Sequence, residues 1–474
     1  MSAPLDKQEL LSRLEPFDQH QLLDWWDDLT DEGKVRLAGQ IAALDLPLID
    51  SLYRGKLDQP DWAELARRAE PPPAVRLAQR KQASRGELGA TPDEARQRGI
   101  ESLRAGKLGV VLTAGGQGTR LGFGLPKSLY AIGPISSASL LQIHIEKIRA
   151  LARRYDVAVP LYLMTSPATH DDTVGFLAEN QHFGLDPADL VVFCQGTMPA
   201  VDVETGKLLL ADRDRLFLSP DGHGGLVAAL KNSGAFEHMR QRGIEHLFYL
   251  QVDNPLVPIG DAELIGYHLS AQSELTSLAI AKQQPHERLG NFMMIDGRLH
   301  VVEYSDLPDD VAELRNKSGD LKFWAGSIAV HIFDRLLFER SASQQGSLPF
   351  HIARKKVPYL DTKGNKVKPQ KPNALKFEKF VFDLLPEAKR PIVVEYAERD
   401  CFAPLKNAPG AAKDTEQYVQ QLMLAQHRRW LEAAGAHLTP NAKVEISPLF
   451  ALDAAELPER IEPGQEFNEP VYLR

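Results

Sequence analysis

The chain is poor in several features that would assign it to a specialised class of protein. It has two cysteines in 474 residues, Cys194 and Cys401, which are too few for a disulfide framework. No stretch approaches the ~20 consecutive apolar residues of a membrane helix, and neither internal repeats nor a low-complexity tract occur. The formal charge of −9 disfavours nucleic-acid binding through bulk attraction, so an anionic ligand needs locally placed cations.

The amino-terminal residues lack the pattern of a secretory signal. Met1 to Leu14 has charges throughout and no continuous apolar segment. Together with the low cysteine content, this predicts a cytoplasmic protein without nucleic-acid or membrane partners. With 43% hydrophobic and 25% charged residues, the composition is that of an ordinary globular protein, and the length favours two or three domains.

The amino-terminal region shows helical periodicity and no recognisable chemistry. Apolar residues recur there at three- and four-residue spacing, as in Leu10, Leu14, Leu22, Trp26 and Leu29. Asp18 and Asp31 are candidate helix N-caps. We therefore predict a helical region over residues 1–102.

From Gly109 onward, strand-like and helix-like segments alternate, which predicts a mainly parallel sheet with crossover helices. The predicted strands are 109–112, 159–165, 190–194, 247–252, 275–282 and 392–396, and the predicted helices are 140–152, 169–179 and 417–433. Ligands of such sheets bind at the carboxyl ends of the strands. Polar residues that follow these strands are therefore the candidate site residues.

The most informative stretch is 112–127, LTAGGQGTRLGFGLPK, directly after the first predicted strand. Gly115, Gly116 and Gly118 permit backbone conformations that bring amide groups close to a phosphate. Arg120 and Lys127 follow and can neutralise its charge. The stretch indicates polyphosphate binding, and the alternative is a glycine-rich turn without a ligand.

Two common phosphate-binding motifs do not fit this stretch. A Walker loop needs glycine directly before Lys-Ser, and Pro126 occupies that position. A dinucleotide fingerprint needs a third glycine one residue earlier than Gly122. The spacing therefore disfavours a dehydrogenase.

The stretch resembles the GGxGTRLxxxxPK signature of the sugar-nucleotide pyrophosphorylases. SPDGHGG at 219–225, the segment 351–383 and FAPLKN at 402–407 are similar to the UDP-N-acetylhexosamine pyrophosphorylase branch of the UDP-sugar pyrophosphorylase family. The resemblance covers about residues 109–407. It implies an α/β fold with a Rossmann-like nucleotidyltransferase core, which contains a mainly parallel mixed sheet, at residues 103–388. The helical region 1–102 precedes this core, and a small, partly β C-terminal domain at 389–474 follows it.

The resemblance implies a uridylyltransferase that makes UDP-N-acetylglucosamine or UDP-N-acetylgalactosamine and pyrophosphate from UTP and the N-acetylhexosamine 1-phosphate. A UTP–glucose-1-phosphate or broad-specificity pyrophosphorylase is one alternative, and a sugar-nucleotide-binding regulator without turnover is another. The implied cofactor is Mg²⁺ or Mn²⁺. The partners are small-molecule substrates, and the expected oligomeric state is a monomer or a homodimer.

The resemblance also implies roles for individual residues. The catalytic cations that would bind the phosphates are Arg120, Lys127, Lys376 and Lys406, and Asp253 would bind the metal. The implied nucleotide contacts are Ala114, Gly115, Gly116, Gln195, Pro220 and Gly222. The implied sugar contacts are His223, Gly290, Glu303, Ser327, Phe380 and Phe382.

Some of these residues depart from the family pattern or have a plainer interpretation. His223 and Ser327 stand where the family usually has asparagine, which leaves the sugar preference open. Phe380 and Phe382 alternate as they would on one face of a strand, either lining an N-acyl pocket or packing in a core. Asp253 and Glu303 are otherwise a turn cap and a solvated strand residue.

Overall fold

The computed structural model describes residues 6–55, 60–82, 90–343 and 348–474. The chain forms two compact units, each built from segments that are distant in sequence. The first unit comprises Met1–Asp61, Gln195–Gly225 and Leu348–Val381, and the second comprises Trp62–Cys194, Leu226–Ser347 and Phe382–Arg474. The boundaries of these units differ from the predicted segments 1–102, 103–388 and 389–474. The first unit includes two stretches of the predicted core, Gln195–Gly225 and Leu348–Val381.

The second unit contains the predicted sheet, in which ten strands are described. In chain order they are β1 (Ala74–Val75), β2 (Leu108–Thr113), β3 (Leu161–Thr165), β4 (Leu190–Cys194), β5 (His246–Gln251), β6 (Leu275–Ala281), β7 (Gly290–Ile295), β8 (Arg298–Val302), β9 (Ala325–Asp334) and β10 (Ile392–Tyr396). The spatial order is β1-β10-β6-β9-β5-β2-β3-β4, and β7 pairs with β8 and β9.

Parallel pairing dominates this sheet, so the fold prediction is confirmed. β9 is the exception in the main path, since it runs antiparallel to both β5 and β6. Continuous apolar runs produce buried strands: every residue of β2, LGVVLT, is buried, and so is every residue of β3. The predicted strands agree with the observed ones to within two residues.

Helices connect the strands of the second unit. They are Trp62–Arg67, Leu77–Lys81, Pro92–Arg104, Leu140–Tyr155, His170–Glu179, Leu226–Asn232, Ala235–Gln241, Ala262–Ser270, Asp309–Ala312, Arg335–Ser343, Glu398–Cys401 and Glu416–Ala433. The helix Leu140–Tyr155 begins after Ser139, whose side chain accepts a hydrogen bond from the Gln142 amide.

Two helices of this unit cross in close backbone contact. A Cβ atom placed on Gly99 would lie 1.7 Å from the carbonyl oxygen of Ala262, and one placed on Gly266 would lie 1.6 Å from that of Ala95. The glycines therefore allow Pro92–Arg104 and Ala262–Ser270 to approach more closely than any larger residue permits.

The first unit contains the helices Lys7–Leu14, Asp31–Ala42 and Leu46–Tyr53. Apolar residues of these helices, among them Leu10, Leu37 and Ile49, share one buried cluster with Phe377. The predictions of Asp18 and Asp31 as N-caps are wrong. The Thr30 side chain caps the second helix by accepting from the Gly33 amide, and Asp18 ends a short 3₁₀ turn in the left-handed conformation.

The strands of the first unit form small antiparallel sheets. His351–Lys355 pairs with Ala374–Glu378, which also pairs with Val201–Asp202. The others are Thr197–Pro199 with Leu218–Pro220, Leu210–Asp212 with Arg215–Leu216, and Tyr359–Leu360 with Lys366–Val367.

The last forty or so residues, within the second unit, have a separate apolar cluster that includes Val444, Ile446 and Phe467. Short parallel pairs stabilise it: His437–Leu438 with Glu466–Phe467, and Val444–Ile446 with Val471–Leu473. Among the described residues, no helix is long and apolar enough to cross a membrane.

Candidate functional site

The carboxyl end of the sheet in the second unit brings two loops side by side. β2 and β5 pair in parallel, with Thr113 opposite Gln251. The amide of Val252 donates to the Thr113 carbonyl at 3.1 Å, so the pairing extends to the ends of both strands. The glycine-rich loop after β2 and the segment containing Asp253 after β5 therefore begin next to each other.

The glycine-rich loop is closed by its own backbone. The Gly118 amide donates to the Leu125 carbonyl, and the Lys127 amide donates to the Gly116 carbonyl, both at 3.0 Å. A Cβ atom on Gly118 would lie 2.7 Å from the Phe123 ring, whereas one on Gly116 would meet nothing within 4 Å. Gly118 is thus needed for the loop itself, and the space beside Gly116 is open for a ligand.

The predicted nucleotide and phosphate contacts of this loop differ in exposure. Ala114 is buried, and its amide donates to the Met164 carbonyl at 2.7 Å. The Gly115 carbonyl accepts from the Ser166 hydroxyl at 2.8 Å. Arg120 is exposed to solvent. The loop therefore has a fixed base and a solvent-exposed cation.

The clearest site geometry is an ion pair across the two loops. Lys127 Nζ lies 3.5 Å from Asp253 Oδ2, and the side chains are 18% and 13% exposed. The sequence placed both residues after predicted strands, and the structure brings them together. A lysine and a carboxylate from two different loops thus lie together at one corner of the carboxyl end of the sheet.

A third loop, which contains Ala403 and Leu405, is hydrogen-bonded to Asp253 and Asn254. The Leu405 amide donates to the Asp253 carbonyl at 2.8 Å, which places the exposed Lys406 beside the ion pair. The buried Asn254 side chain donates to the Cys401 carbonyl and accepts from the Ala403 amide. The amide side chain therefore fixes the segment that precedes Lys406.

A second carboxylate lies near Asp253. Burial raises the pKa of Asp414, and the Asp253 charge raises it further, while the charge of Lys406 opposes the rise. The Asp414 carbonyl accepts from the amides of Lys406 and Asn407. Two carboxylates and two lysines therefore act on one another electrostatically at this corner.

The helix Leu140–Tyr155 holds the Asp253 segment from behind. His144 Nε2 lies 3.0 Å from the Val252 carbonyl, and Lys147 Nζ donates to the carbonyls of Pro255 and Val257. Burial lowers the pKa of His144 to about 3, so the ring is neutral at pH 7 and donates its Nε2 proton. Burial also lowers the pKa of Lys147 to about 7.

Three of the predicted sugar residues meet at the start of β9. Gly290 pairs with Ser327, and a Cβ atom on Gly290 would lie 3.5 Å from Glu303 Oε1 and 2.5 Å from Val301. Because β9 runs antiparallel to β5, its first residues lie at the same sheet edge as Asp253. Gly290, Glu303 and Ser327 thus lie together, and position 290 requires glycine because the Val301 side chain fills the space that a Cβ atom would need.

In the first unit, the predicted nucleotide contacts Gln195, Pro220 and Gly222 lie around an aspartate, Asp221. Gln195 is buried, Pro220 ends a strand, and the Asp221 amide donates to the Gly196 carbonyl at 3.1 Å. A Cβ atom on Gly196 would lie 2.7 Å from Asp221 Oδ2. Gly222 has a φ of +84°, and a Cβ atom there would lie 2.4 Å from the Lys379 carbonyl, so this position requires glycine.

Asp221 is a half-buried acid that the sequence analysis did not single out. Its Oδ1 atom is buried and accepts no hydrogen bond among the described residues. Burial raises the pKa of this carboxyl to about 6, against the opposing charge of Lys379. A buried carboxylate oxygen without a donor is costly, so it is a candidate acceptor for a ligand N–H or hydroxyl.

His223 packs in an aromatic cluster of the first unit. Its ring stacks on Phe380 with centroids 5.2 Å apart, and His351 lies 4.4 Å from the same ring. The Val381 amide donates to His223 Nδ1 at 3.0 Å, which leaves the ring proton on Nε2. Burial and the neighbouring His351 lower the pKa of His223 to about 4. The ring is therefore neutral at pH 7.

Two lysines of the first unit are partly withdrawn from water. Lys376 lies in the strand Ala374–Glu378 with Nζ 5.2 Å from the centre of the Phe217 ring, and burial lowers its pKa. Lys379, which the sequence analysis did not assign to the site, lies with Nζ 4.5 Å from the Phe350 ring centre. Burial lowers its pKa as well, so both ammonium groups would gain by meeting an anion.

The placement of Phe380 and Phe382 on one face of a strand is wrong. The strand ends at Glu378, and Phe382 lies in the 3₁₀ segment Val381–Glu387. The chain also passes from the first unit to the second between Val381 and Phe382. Phe380 thus belongs with His223, while the N-acyl contact of Phe382 stays a prediction.

The residues that sequence reasoning missed gave only weak local signals. Asp221 stands inside the SPDGHGG segment, and Lys379 stands inside KFEKFVFD, so both were within reach of the motif analysis. Lys147 and Asp414 gave none, because a lysine in a helix and an aspartate in a loop are ordinarily solvated.

Comparison with known proteins identifies the family. The sequence model of the family described as UTP–glucose-1-phosphate uridylyltransferase matches residues 66–466. The human UDP-N-acetylhexosamine pyrophosphorylase-like protein 1 is 35% identical over 98% of this chain and 97% of its own. The Saccharomyces cerevisiae UDP-N-acetylglucosamine pyrophosphorylase is 37% identical over 74% of this chain and 75% of its own.

A solved structure agrees with these sequence matches. The uridine diphosphate N-acetylglucosamine pyrophosphorylase of Trypanosoma brucei, in complex with an inhibitor, superimposes with a TM-score of 0.80 at 26% identity over 99% of both chains. The predicted resemblance is confirmed: this chain belongs to the UTP–glucose-1-phosphate uridylyltransferase family.

Proposed function

We propose that this chain transfers the uridylyl group of UTP to an N-acetylhexosamine 1-phosphate, giving the UDP-N-acetylhexosamine and pyrophosphate. The observation that supports this most is the Lys127–Asp253 pair at 3.5 Å beside the open side of the glycine-rich loop. The proposed reaction needs a cation for phosphate and a carboxylate for a metal at one place, and these residues supply both. Relatives with this activity in their names support the same assignment.

The chemistry requires electrostatic positioning more than proton transfer. A sugar 1-phosphate is already an anionic nucleophile, so the barrier is the approach of two anions in line at the α-phosphorus. Fixed cations lower such a barrier. In the second unit, Arg120 and Lys127 hold the β- and γ-phosphates, and Lys406 stabilises charge on the phosphates that react. In the first unit, Lys376 is assigned the same role, and Gln195, Pro220, Gly222 and Asp221 are assigned to the uridine.

The residues present fit a magnesium ion. Carboxylate oxygens are its preferred ligands. Among the described residues, Asp253 accepts no side-chain hydrogen bond, and it forms an ion pair with Lys127 at 3.5 Å. The nearby Asp414 has a raised pKa, partly because of the Asp253 charge. Asp253, with Asp414 behind it, would hold Mg²⁺ or Mn²⁺, which when bound supplies charge neutralisation at the phosphates.

The hexose is assigned to Gly290, Glu303 and Ser327. The Glu303 carboxylate accepts hydrogen bonds from sugar hydroxyls, and Gly290 lets the strand pass close to Val301 beside it. His223 and Phe380 form a flat apolar surface that suits the methyl group of an N-acyl substituent. Because His223 donates only through Nε2, it binds as a neutral hydrogen-bond donor. A cytoplasmic location and a monomeric or homodimeric state remain predictions from the sequence.

One assay tests the reaction and the sugar together. The purified chain is incubated with UTP, Mg²⁺ and either N-acetylglucosamine, N-acetylgalactosamine or glucose 1-phosphate, and pyrophosphate release is measured. We expect release with one or both N-acetylated substrates, at a kcat/KM at least ~10-fold above that for glucose 1-phosphate. Faster turnover of glucose 1-phosphate would support the glucose enzyme instead. Binding of UDP-sugars without turnover of any substrate would support a regulator.

A further inference from the structure

A cluster of two histidines and an aspartate lies in the second unit, at the other end of β5 from Asp253. His246 is the first residue of β5 and pairs with Asp334, the last residue of β9. His268 lies in the helix Ala262–Ser270. A six-residue strand is roughly 20 Å long, so the cluster lies far from the Lys127–Asp253 pair and has no part in the transfer chemistry.

The histidine nitrogens of the cluster that could bind a metal both lie close to one carboxylate oxygen, Asp334 Oδ1. His246 Nδ1 lies 2.9 Å from Asp334 Oδ1, and His268 Nε2 lies 3.1 Å from the same atom. One potential ligand atom from each residue lies within 4.8 Å of the other two. This is the only such group of three or more among the described residues. The two imidazole rings meet edge to face with centroids 5.1 Å apart.

We propose that His246, His268 and Asp334 form a binding site for a divalent transition-metal ion of the Zn²⁺ class. Two imidazoles and one carboxylate are a common set of three protein ligands for this ion, and a water molecule completes the tetrahedron. With bonds of about 2.0–2.2 Å, tetrahedral ligand atoms lie about 3.3 Å apart. The observed separations from Asp334 Oδ1 need to widen by only a few tenths of an ångström.

The surroundings of the cluster match those of a metal site. A metal-bound histidine usually has its second ring nitrogen fixed by a hydrogen bond, and His268 Nδ1 lies 2.9 Å from the Thr276 hydroxyl. His268 is 1% exposed, whereas Asp334 is 30% exposed, so the ion has a buried ligand and an open side for water. Arg340, whose charge interacts with that of Asp334, would repel a bound cation if it were unpaired. Its charge is compensated, because Arg340 pairs with Glu274 at 2.7 Å.

Each histidine offers the ion the ring nitrogen that faces Asp334. An imidazole that binds a metal through one nitrogen holds its proton on the other ring nitrogen. For His268, that proton then points at the Thr276 oxygen. The bound ion links the start of β5, the end of β9 and the helix Ala262–Ser270, so we expect it to stabilise the fold and to leave turnover unchanged.

The test uses the full chain after chelator treatment and removal of the chelator. Zn²⁺ binding is measured by calorimetry, and Co²⁺ serves as a spectroscopic probe of tetrahedral coordination. We expect about one Zn²⁺ per chain at this site and a rise in Tm of roughly 2 °C or more at Zn²⁺ a hundredfold above Kd. If the untreated and chelator-treated protein both bind no Zn²⁺ or Co²⁺, the cluster is a hydrogen-bonded triad and the proposal is overturned.

Variants assign the bound ion to this cluster. His246→Ala and Asp334→Asn should each abolish the tetrahedral Co²⁺ spectrum and the Tm shift. His286→Ala is a matched control, because His286 is an exposed histidine near two carboxylates, Asp309 at 3.6 Å and Glu313 at 3.4 Å. Asp253→Asn should likewise retain Zn²⁺ binding. Unchanged Zn²⁺ binding in folded His246→Ala protein would place the ion elsewhere and overturn the proposal.

Discussion

Lys127 Nζ lies 3.5 Å from Asp253 Oδ2, and each side chain is more than four-fifths buried. In the absence of substrate, the lysine and the carboxylate therefore compensate each other's charge. Binding of a triphosphate and a metal would give each a new partner: phosphate for Lys127 and the metal for Asp253. The pair thus holds both side chains in place before the substrates arrive.

Replacement of Lys127 by alanine should lower kcat by at least ~10²-fold, because a fixed cation next to the transferred phosphates is lost. The fold should be retained, since neither side chain is in the apolar core. The measurements are initial rates of pyrophosphate release and far-UV circular dichroism. Lys366→Ala is the control, because Lys366 is 68% exposed and forms a surface ion pair with Asp212 at 2.8 Å. Near-normal turnover of Lys127→Ala would contradict its assigned role.

Asp253→Asn should abolish most activity and change its dependence on Mg²⁺. The amide keeps the shape of the side chain but removes a charged ligand, so a higher Mg²⁺ concentration should be required, and kcat should fall at least ~10²-fold. The measurement is turnover as a function of Mg²⁺ concentration. Asp310→Asn, at an exposed residue that pairs with Arg67, is the matched control. An unchanged Mg²⁺ dependence would exclude Asp253 as a ligand.

The sequence predicted this corner because its residues follow strands, and strand ends of a parallel sheet meet at one edge. Gly115 to Lys127 and Asp253 were found in this way, and Gly290, Glu303 and Ser327 from family motifs. The division into units had no local signal. Residues 195–225 and 348–381 are far apart in sequence, and their association is a product of tertiary packing. The Phe380–Phe382 alternation misled because the strand ends at Glu378 and a 3₁₀ segment begins at Val381.

The sequence also did not reveal which polar side chains the fold would bury. Asp221 and Lys147 are ordinary residues in a loop and a helix until the surrounding chain excludes water from them. His246, His268 and Asp334 are likewise separated by many residues and meet only across strands and a helix. Each of these groups has a pKa or a geometry that depends on neighbours far away in the chain.

Asp221 should make the protein less stable as the pH rises from about 4 to about 6. Its pKa is raised from 3.8 to about 6 by burial, so in this range the folded state binds more protons than the unfolded state, and deprotonation favours unfolding. In Asp221→Asn this loss should be absent. The measurement is Tm between pH 4 and 8 for both proteins, with Asp306→Asn, at an exposed aspartate, as the control. Parallel Tm profiles of wild type and Asp221→Asn would contradict the raised pKa.

Lys147 should give the opposite slope at higher pH. Burial lowers its pKa from 10.5 to about 7, so between these values the unfolded state binds more protons, and stability rises with pH. The neutral amine still donates to the Pro255 and Val257 carbonyls, so the contact survives deprotonation. Relative to Lys147→Met, the wild type should therefore gain in Tm from pH 7 to pH 9. A constant Tm difference over this range would mean that Lys147 titrates normally.

Glu303→Gln should weaken the binding of the sugar phosphate and leave the binding of UTP unchanged. The carboxylate lies beside Gly290 and Ser327. In the proposed function it accepts from hexose hydroxyls, and an amide would present a donor to one of them instead. Loss of a charged hydrogen bond of this kind is worth about 1.5–3 kcal/mol, so KM for the sugar phosphate should rise by roughly 10- to 100-fold. Steady-state kinetics with each substrate varied in turn separates the two values. Glu313→Gln, at an exposed residue, is the control. An equal rise in both KM values would show that Glu303 supports the fold of the site as a whole, since only a direct sugar contact distinguishes the two substrates.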